Sequence, residues 1–577
     1  MTQLNTCEKK RIGSTVLWLT AAFFLLSALF MVSFYLTMRT SEIYIQEEWE
    51  GPFNRELETV MKEAGFNLLS QAQTSTLKFY YEQRLTFGGE EEENNYIIGR
   101  MPILVAVNFW NPLEDISLEQ LMAVFSGQVT TWEPLTGIKK PVKLLCTREC
   151  MDYVQSAFST VSPERFTAVH RQELLQNLVN EEGALAILPW VDVDPKIKVV
   201  AVKKKTGAIH PFWSADPEKD YPLTAQVRLL PSGKNTILRP WYEAMQKPRI
   251  KRILQAELPA DRWVVGKEIS TLAAAGDLLF DRKVARTSKQ KGDLKYPLAK
   301  TAQVFRQADL AFANLECPLS SRGRQINMFR GKPAVAEVLA DAGFDVISLA
   351  NNHIFDYGLV AFLDSIECLQ EKGIIPVGVG ENIYQARAPK ILSVNGVRVA
   401  FLAYTRIGPG MTYTRVPQHW AATVDLPGVA EARSDFIRMD VARAKAEADL
   451  VFVSFHWGNE YVHYPTDQQK AWGKIALAAG ADLVLGHHPH VLQGIEFGED
   501  GEVGKKGIIV YSLGNFVFDQ ITFNRRQSMI LKAAFTQDGI CQLCPVPVLI
   551  TAEQPSLAEG SVKHDILRLL AKISFKE

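Results

Sequence analysis

Cysteine is scarce in this chain, with seven scattered among 577 residues. Two pairs lie close in sequence, Cys146 with Cys150 and Cys541 with Cys544. Each pair can form a disulfide, bind a soft metal or remain as thiols, and thiols are favoured because a structural zinc site needs a second pair nearby. A cysteine-based zinc module is therefore not expected.

Net charge is also nearly absent, at −1 for 63 Lys and Arg against 64 Asp and Glu. The basic run Lys203–Lys205 is better interpreted as a solvated loop than as a patch that binds polyanions. We therefore expect no nucleic-acid partner. With 22% charged residues the composition is that of ordinary globular protein, and the length suffices for two or three domains.

Charge is missing altogether from one long apolar stretch, residues 15–38. At about 1.5 Å per helical residue, this stretch can cross a hydrocarbon core of roughly 30 Å. Basic residues at 9–11 precede it and only Arg39 follows closely, so we predict a single-pass anchor in the cell membrane, with residues 1–14 cytoplasmic and the bulk of the chain extracytoplasmic. A cleaved signal peptide is the alternative, disfavoured because the stretch is long and no clear small-x-small cleavage site follows it.

Residues 41–263 predict a separate α/β domain. The run Ile103–Val107 is typical of a strand. Ser117 is suited to N-cap a helix that continues through Phe125, and Gly127 stands where that helix would end. Strand, loop and helix therefore follow in the order that an α/β fold requires.

Several short sequence motifs in this domain resemble those of the phosphate-type extracytoplasmic solute-binding proteins, namely Ile116–Leu121, Val124–Gly127, Thr131–Trp132 and Gly183–Pro189. The resemblance implies a periplasmic-binding-protein-like α/β domain in which an Arg and a Ser-Gly-Thr turn hold an anion. Arg148 is present at the matching place, but Glu149 and Asp152 would repel an anion and the Ser-Gly-Thr turn is missing. We therefore expect a degenerate binding domain that contacts a partner or polymer rather than a phosphate receptor.

In the distal part of the chain, six apolar strand-like runs each end in a segment with metal-type or phosphate-type side chains. Helical stretches with three-to-four residue apolar spacing, at 333–342, 359–372, 439–448 and 467–479, separate these runs and predict a layered α/β domain. Ligands bind at the carboxyl ends of strands in open α/β sheets, so the segments are expected to meet. They are Gly276–Asp277, Asn314–Glu316, Asn351–His353 with Asp356, His456–Gly458, Gly486–His490 and Ser512–Asn515.

These residue types suit divalent cations. Carboxylates supply hard oxygen ligands and His and Asn supply neutral ones, so a cluster of both holds one or two cations without excessive repulsion. On an extended segment His488 and His490 would face one way and His487 the other. Each segment alone has a structural explanation, such as a helix cap at Asp277 or a core histidine at His456, but their recurrence favours one site.

Together the segments, extended to Leu349–Gly358, His456–Tyr461 and Tyr511–Phe516, resemble the poly-γ-glutamate capsule synthesis family of CapA type, over residues 271–549. That family is related to the calcineurin-like metallophosphoesterases, so the resemblance implies a four-layered β-sandwich flanked by helices, with one or two ions of manganese, zinc or iron at the strand ends. It implies catalytic roles for Asp277 and for His353, which would assist the leaving group. The implied metal ligands are Asp277, Glu316, Asn352, His456, His488 and His490.

Two departures from the phosphoesterase pattern bear on the metal count. A His stands two residues after the Asp of the first motif there, whereas Leu279 occupies that place here, and Glu316 replaces the usual bridging Asp. A longer carboxylate still spans two ions about 3.5 to 4 Å apart. One-metal, two-metal and binding-only sites therefore all remain open.

Further residues are expected to support the ligands or to contact substrate. Arg330 is a candidate for holding an anionic substrate, with simple solvation as its alternative. Asp356 and Glu460 are expected to orient histidines. The whole supporting set is Asn314, Asn351, Asp356, Glu460, His487, Asn515 and Arg330.

Two functional hypotheses follow. The first is a metal-dependent hydrolase-like protein, acting on a phosphoester or an amide, in the synthesis, export or surface attachment of an anionic polymer, poly-γ-glutamate by resemblance. The second is a non-catalytic accessory protein that binds the polymer and bridges it to membrane-bound synthesis subunits. In the tail, residues 550–577, the amphipathic stretch Val562–Ile573 is expected to dock on the distal domain.

Overall fold

The computed structural model describes residues 42–44, 67–69, 96–229 and 269–574, apart from 148–149, 152, 155–157, 159–160, 206, 215, 407–419 and 499–506. The predicted anchor at 15–38 and the departures at Arg148, Glu149 and Asp152 lie outside these residues. Within the described part of the chain, no helix has the length and apolar character needed to cross a membrane. The anchor stays a prediction.

Two compact units make up the chain. One comprises Met1–Pro102 with Thr224–Gly266, and the other comprises Ile103–Leu223 with Lys267–Glu577. The second unit thus unites most of the described proximal residues with the distal region. The domain boundaries proposed from sequence, at 41–263 and 271–549, stay predictions.

Short elements build the described proximal residues. The strands are β1 (Glu42–Tyr44), β2 (Asn67–Leu69), β3 (Tyr96–Asn108), β4 (Asp115–Ser117), β5 (Lys143–Thr147), β6 (Phe166–Val169), β7 (Ala184–Pro189), β8 (Ile197–Val199), β9 (Ala201–Lys204), β10 (Gly207–Ile209) and β11 (Thr224–Leu229). The helices are α1 (Leu118–Ser126), α2 (Glu133–Thr136), α3 (Arg171–Asn180) and α4 (Pro217–Asp220).

Local signals in this region behave as the sequence predicts. The run Ile103–Val107 lies within β3 and pairs with β7, which is followed in the sheet by β5 and β6. Ser117 caps α1 through a capping box with Gln120, and Gly127 ends the helix with φ 86°. The predicted strand and helix are confirmed.

The distal region has longer elements. Its strands are β12 (Ser270–Leu278), β13 (Leu310–Leu315), β14 (Val346–Ser348), β15 (Ile375–Val377), β16 (Val379–Gly380), β17 (Lys390–Val394), β18 (Val397–Thr405), β19 (Gly428–Val429), β20 (Leu450–His456), β21 (Leu483–His487), β22 (Ile495–Phe497), β23 (Ile508–Val510), β24 (Asn515–Val517), β25 (Gln527–Thr536), β26 (Gly539–Thr551) and β27 (Gln554–Leu557). Its helices are α5 (Arg282–Lys291), α6 (Ala302–Arg306), α7 (Val335–Ala342), α8 (Gly358–Glu371), α9 (Ile383–Ala386), α10 (Ser434–Glu447), α11 (Asp467–Ala478), α12 (Phe523–Arg526) and α13 (Gly560–Ile573).

Two main sheets organise this region. The first has the order β15-β14-β13-β12-β25-β26-β27, with β24 also paired to β12, and its strands from β15 to β12 are parallel. The second has the order β17-β18-β20-β21-β23-β22, with β18, β20, β21 and β23 parallel. Both sheets therefore present parallel carboxyl ends, where ligands bind.

Apolar side chains fill the space between the two sheets and cover their outer faces. Phe312 of the first sheet stacks on Phe401 of the second, with ring centroids 5.8 Å apart. Helices α5 to α8 cover the outer face of the first sheet, and α10 and α11 that of the second. The order is thus helix, sheet, sheet, helix, and the mixed α/β class predicted from the sequence is confirmed.

The C-terminal helix α13 packs on this core through Ile566, Leu570 and Ile573. The docking predicted for the tail is confirmed. Nearby, the buried Gln542 of β26 donates a hydrogen bond from Nε2 to the carbonyl of Ile197, at 2.8 Å, and so joins the proximal and distal parts of the second unit.

Candidate metal centre

The candidate site lies where strands of the two sheets end. Asp277 stands near the end of β12, with its Cα paired to those of Asn314 in β13 and Asn515 in β24. In the second sheet, His456 and His487 close β20 and β21 and pair with each other. The convergence of strand ends predicted from the sequence places all five residues in one buried region.

Backbone contacts fix this arrangement, and Gly276 makes them possible. A Cβ at residue 276 would lie 1.9 Å from the carbonyl oxygen of Gly514, so only glycine allows β12 to approach the turn before β24. The next residue uses that approach, because the N–H of Asp277 donates to the same oxygen at 3.0 Å.

The carboxylate of Asp277 is surrounded by nitrogen atoms. Its Oδ1 accepts a hydrogen bond from Asn314 Nδ2 at 2.9 Å and lies 3.3 Å from His487 Nδ1. Its Oδ2 accepts from the backbone N–H of His488 at 3.1 Å and lies 3.4 Å from His490 Nδ1. Burial alone would raise the pKa of Asp277, but His487 and His490 hold it well below the usual value, so the group is a carboxylate.

Glu316 has no such support. It is fully buried, and neither carboxylate oxygen has a hydrogen-bond donor. Two imidazole nitrogens lie beside it, His456 Nε2 at 3.4 Å and His490 Nε2 at 3.8 Å. Burial, followed by the negative charge of Asp277, raises the pKa of Glu316 well above its usual value. A buried acceptor without a donor requires a compensating group, and a cation is the group that these surroundings suit.

Two of the histidines are held in the neutral form that binds metals. Burial, then the neighbouring His488, lowers the pKa of His456 well below its usual value, and Nε2 of His456 lies 2.8 Å from Asn352 Oδ1. Burial, then the charge of His490, lowers the pKa of His488 to about 3, and Nδ1 of His488 is buried without a partner.

The segment after β21 has an unusual backbone. His488 has φ 94° and His490 has φ 57°, in the left-handed region that residues other than glycine rarely adopt. The extended geometry assumed for this segment from the two-residue spacing is therefore wrong. Non-glycine residues persist in this region where surrounding contacts over-determine them, and such positions cluster at functional sites.

Two overlapping groups of these side chains can hold a cation, with ligand atoms within 4.8 Å of one another: Glu316 with His488 and His490, and Asp277 with Glu316 and His456. Glu316 belongs to both groups. The mixture of carboxylate oxygens and imidazole nitrogens suits manganese, zinc or iron. The residues present therefore fit one ion, or two that share Glu316.

An amide network supports the cluster. Asn351 Nδ2 donates to Leu315 O at 2.8 Å and to Asn314 Oδ1 at 3.2 Å, while its Oδ1 accepts from the backbone N–H of His353 at 3.0 Å. Beside it, Nδ1 of His353 lies 2.9 Å from the buried carboxylate of Asp356. This pairing leaves Nε2 as the nitrogen of His353 available for chemistry.

The other predicted residues occupy different surroundings. Asn515 Oδ1 lies 2.9 Å from His490 Nδ1, so Asn515 orients that imidazole. Glu460 is exposed and acts on the cluster through its charge, which contributes to the raised pKa of Glu316. The guanidinium of Arg330 lies over the ring of Tyr357, 4.3 Å from its centroid. Leu279, at the position where the phosphoesterase pattern has a His, is fully buried among apolar side chains.

Sequence reasoning missed Arg525. Its guanidinium lies 3.5 Å from the ring centroid of Tyr461, and that ring is 6.0 Å from the ring of His490. The one local signal was the Arg525–Arg526 pair, shortly after the Ser512–Asn515 segment.

The fold and this cluster define the chain as a mixed α/β protein with a buried carboxylate and histidine centre suited to divalent cations. Comparison with known proteins identifies its family. The family described as "Bacterial capsule synthesis protein PGA_cap" matches residues 271–520. The capsule biosynthesis protein CapA of Bacillus anthracis is 32% identical over 375 residues, which cover 61% of this chain and 87% of that protein. The PGA biosynthesis protein CapA of Bacillus subtilis (strain 168) is 32% identical over 318 residues, which cover 53% and 79%.

The chain therefore belongs to the CapA-type family of capsule synthesis proteins, and the family resemblance seen in its motifs is confirmed. Among solved structures, a novel phosphatase from Mycoplasma pneumoniae has a TM-score of 0.32 at 14% identity, covering 49% of this chain and 94% of that one. A putative phosphate ABC transporter substrate-binding protein with bound phosphate, from Clostridium perfringens, has a TM-score of 0.27 at 14% identity, covering 38% and 98%. Both TM-scores are low.

Proposed function

We propose that this chain is a membrane-anchored, extracytoplasmic protein of poly-γ-glutamate capsule synthesis, export or surface attachment, with a metal-dependent hydrolase centre. Two relatives support the biological part, since their names specify capsule biosynthesis and PGA biosynthesis. The apolar stretch 15–38 and the basic residues before it support the anchor.

The observation that carries the chemical part is Glu316, a buried carboxylate without a donor, surrounded by carboxylate and imidazole ligands. The residues that would hold one or two divalent ions are Asp277, Glu316, Asn352, His456, His488 and His490. Bound ions of this kind activate water and neutralise charge that develops on a phosphoryl or acyl oxygen.

Residues of the chain supply the remaining parts of such a reaction. His353, held by Asp356 through Nδ1, would deliver a proton from Nε2 to the leaving group. Arg330, whose guanidinium lies over the ring of Tyr357, would attract an anionic substrate. The scissile bond is a phosphoester or an amide, since one centre of this type serves either.

The test is elemental analysis of the purified full-length protein, with hydrolysis of phosphodiesters and of polyglutamate measured with and without chelator. Bound metal and chelator-sensitive turnover are expected, and Glu316→Ala should lose both. Glu367→Ala, which removes an exposed carboxylate from α8, is the matched control and should keep both. Failure to bind manganese, zinc or iron after reconstitution would refute the metal centre.

A second function has one observation in its favour. Leu279 fills, with a buried apolar side chain, the place of a ligand in the phosphoesterase pattern, and this departure suits an accessory protein that binds polymer without cleaving it. The degenerate solute-binding-like region would then contact membrane-bound synthesis subunits. On this alternative, Asp277→Ala would still support polymer export in cells.

A further inference from the structure

We propose that Arg525, held over Tyr461 beside the metal centre, forms an anion subsite that binds a carboxylate of the substrate chain. The inference rests on the proposed function, because it takes the metal centre as the place where substrate acts. It adds a recognition site to that centre.

Position is the first support for this subsite. The Arg525 guanidinium lies 3.5 Å from the ring centroid of Tyr461, and the backbone N–H of Tyr461 donates to Pro489 O at 2.7 Å, within the segment that carries His488 and His490. Tyr461 itself has φ 66°, a strained conformation that places its ring 6.0 Å from that of His490. The strained residue thus holds a cation next to a metal ligand.

Asn515 provides a second, independent connection between Arg525 and the centre. Its Nδ2 donates to the carbonyl of Arg525 at 2.9 Å, while its Oδ1 lies 2.9 Å from Nδ1 of His490. One side chain therefore fixes both the imidazole and the backbone from which the guanidinium extends. The positions of Arg525 and His490 are coupled by rigid contacts at both ends.

The guanidinium of Arg525 has a donor without a partner. Its Nε is buried without a hydrogen-bond partner, and the same is true of Nε of Arg526. Among the described residues, no carboxylate forms an ion pair with either guanidinium, and the exposed Glu460 interacts with the hydroxyl of Tyr461 instead. Most buried donors in folded proteins are paired, so two adjacent orphan donors indicate a place for an acceptor.

The surroundings favour a chain-like carboxylate ligand. A guanidinium pairs with a carboxylate through two parallel hydrogen bonds, and stacking on Tyr461 keeps its plane fixed for that purpose. Exposed aromatic side chains are close in sequence to both residues of the subsite, with Phe523 48% exposed in the same short helix as Arg525 and Tyr464 57% exposed three residues after Tyr461, and these can contact the methylene groups of an extended polymer. A free phosphate would use the same guanidinium but not these flanking surfaces.

The experiment measures binding of γ-linked glutamate oligomers to the full-length protein by isothermal titration calorimetry at two salt concentrations, with inorganic phosphate as a second probe. Variants are Arg525→Gln and Arg525→Lys, and the matched control is Arg568→Gln, which removes an exposed arginine from α13. Metal content and thermal unfolding are measured for each variant, so that loss of fold or of metal is separated from loss of the subsite.

Arg525→Gln should bind the oligomers at least about tenfold more weakly and with a smaller salt dependence, because it loses a charge-assisted contact. Its metal content should be unchanged. Arg525→Lys should retain part of the affinity and Arg568→Gln all of it. If the wild type binds oligomers and Arg525→Gln binds them equally, the subsite is refuted while the proposed function stands. If the wild type binds phosphate but not the oligomers, and does so through Arg525, the anion subsite is supported and the assignment of a polymer carboxylate as its ligand is wrong. Binding of neither probe would refute the subsite, whereas the proposed metal centre is judged by metal content and turnover.

Discussion

Nδ1 of His353 lies 2.9 Å from Oδ2 of Asp356, three residues further along the chain, and both side chains are buried. The same carboxylate accepts hydrogen bonds from the backbone N–H groups of Met328 and Phe329, at 3.1 and 2.8 Å. One side chain thus orients the proposed proton donor and holds the segment that precedes Arg330.

Asp356→Asn should lower turnover by roughly 10- to 100-fold, because the amide supports neither the tautomer nor the charge of His353. It should also lower the free energy of unfolding by about 1–3 kcal/mol, through weaker bonds to the segment. The distinguishing measurement is the pH dependence of kcat, whose alkaline limb should shift because a proton donor must be protonated to act. Asp364→Asn, which removes a carboxylate bound to Ser320 and Arg322, should cost stability without that shift. An unshifted profile in Asp356→Asn would remove His353 from the proton-transfer role.

Glu316→Gln should change stability in opposite directions with and without metal. In chelator, the wild type buries Glu316 without a donor, and the raised pKa means that its ionised form is disfavoured there, so the neutral amide should raise the free energy of unfolding by about 1–3 kcal/mol. With metal bound, the variant has lost a shared ligand and should be less stable than the wild type. Urea denaturation in each condition checks this, with Glu367→Gln expected to be neutral in both. A change of the same sign in both conditions would contradict the role of Glu316.

His490 gives the chelated protein a specific pH dependence. Burial alone lowers its pKa, but the charges of Glu316 and Asp277 outweigh burial and raise the pKa to about 9. The folded value thus exceeds the unfolded value of about 6.5, so the stabilisation is complete below about pH 6.5 and is lost as pH rises through about 9. Urea midpoints in chelator should fall across this window. His490→Gln should flatten the decline, and an identical decline in that variant would show that other groups cause it.

The sequence predicted the parts of this structure that depend on local pattern. Apolar runs marked the strands, and because parallel strand ends share one edge, Asp277, Glu316 and His456 could be placed together without coordinates. The helices at 333–342, 359–372 and 467–479 followed from apolar spacing and match α7, α8 and α11 within two residues.

The sequence could not predict long-range contacts or strained backbone conformations. Arg525 and Tyr461 are far apart in the chain, and nothing near either residue indicates that they stack. The left-handed conformations of His488 and His490 are imposed by tertiary contacts, and a histidine in the sequence does not predict them. Gln542 reaches Ile197 across 345 residues, a contact that only the assembled unit creates.

Asp440 and Asp435 lie on one helix, α10, and test how burial changes the contribution of an ion pair to the free energy of unfolding. The buried Asp440 accepts two hydrogen bonds from Arg387, both at 2.8 Å, and one from the hydroxyl of Tyr404 at 3.0 Å. Asp440→Asn should cost about 3–5 kcal/mol, because the charge of Arg387 would be left without its partner. Asp435 pairs with Arg433 on the surface, and Asp435→Asn should cost about 0–1 kcal/mol. Equal losses in chemical denaturation would show that the buried pair is not specially stabilising.

Leu570 tests the docking of the C-terminal helix. Its side chain is fully buried in the core that the two sheets share, whereas the neighbouring Leu569 is only partly buried. Leu570→Ala should therefore lower the free energy of unfolding by about 2–5 kcal/mol, through lost burial and the cavity left behind, and Leu569→Ala should cost clearly less.

Measurement of both leucine variants by urea denaturation also separates two roles for the helix. A docked helix contributes to the stability of the folded unit, and Lys563 on α13 further ties it to Glu114 of the proximal residues. A helix that instead served a membrane surface would leave the unfolding midpoint unchanged when either leucine is shortened, but would weaken vesicle binding. The packing predicts a large loss of unfolding free energy for Leu570→Ala, with vesicle binding unaltered. The reason is that the apolar side chains of Ile566, Leu570 and Ile573 are already buried in the core.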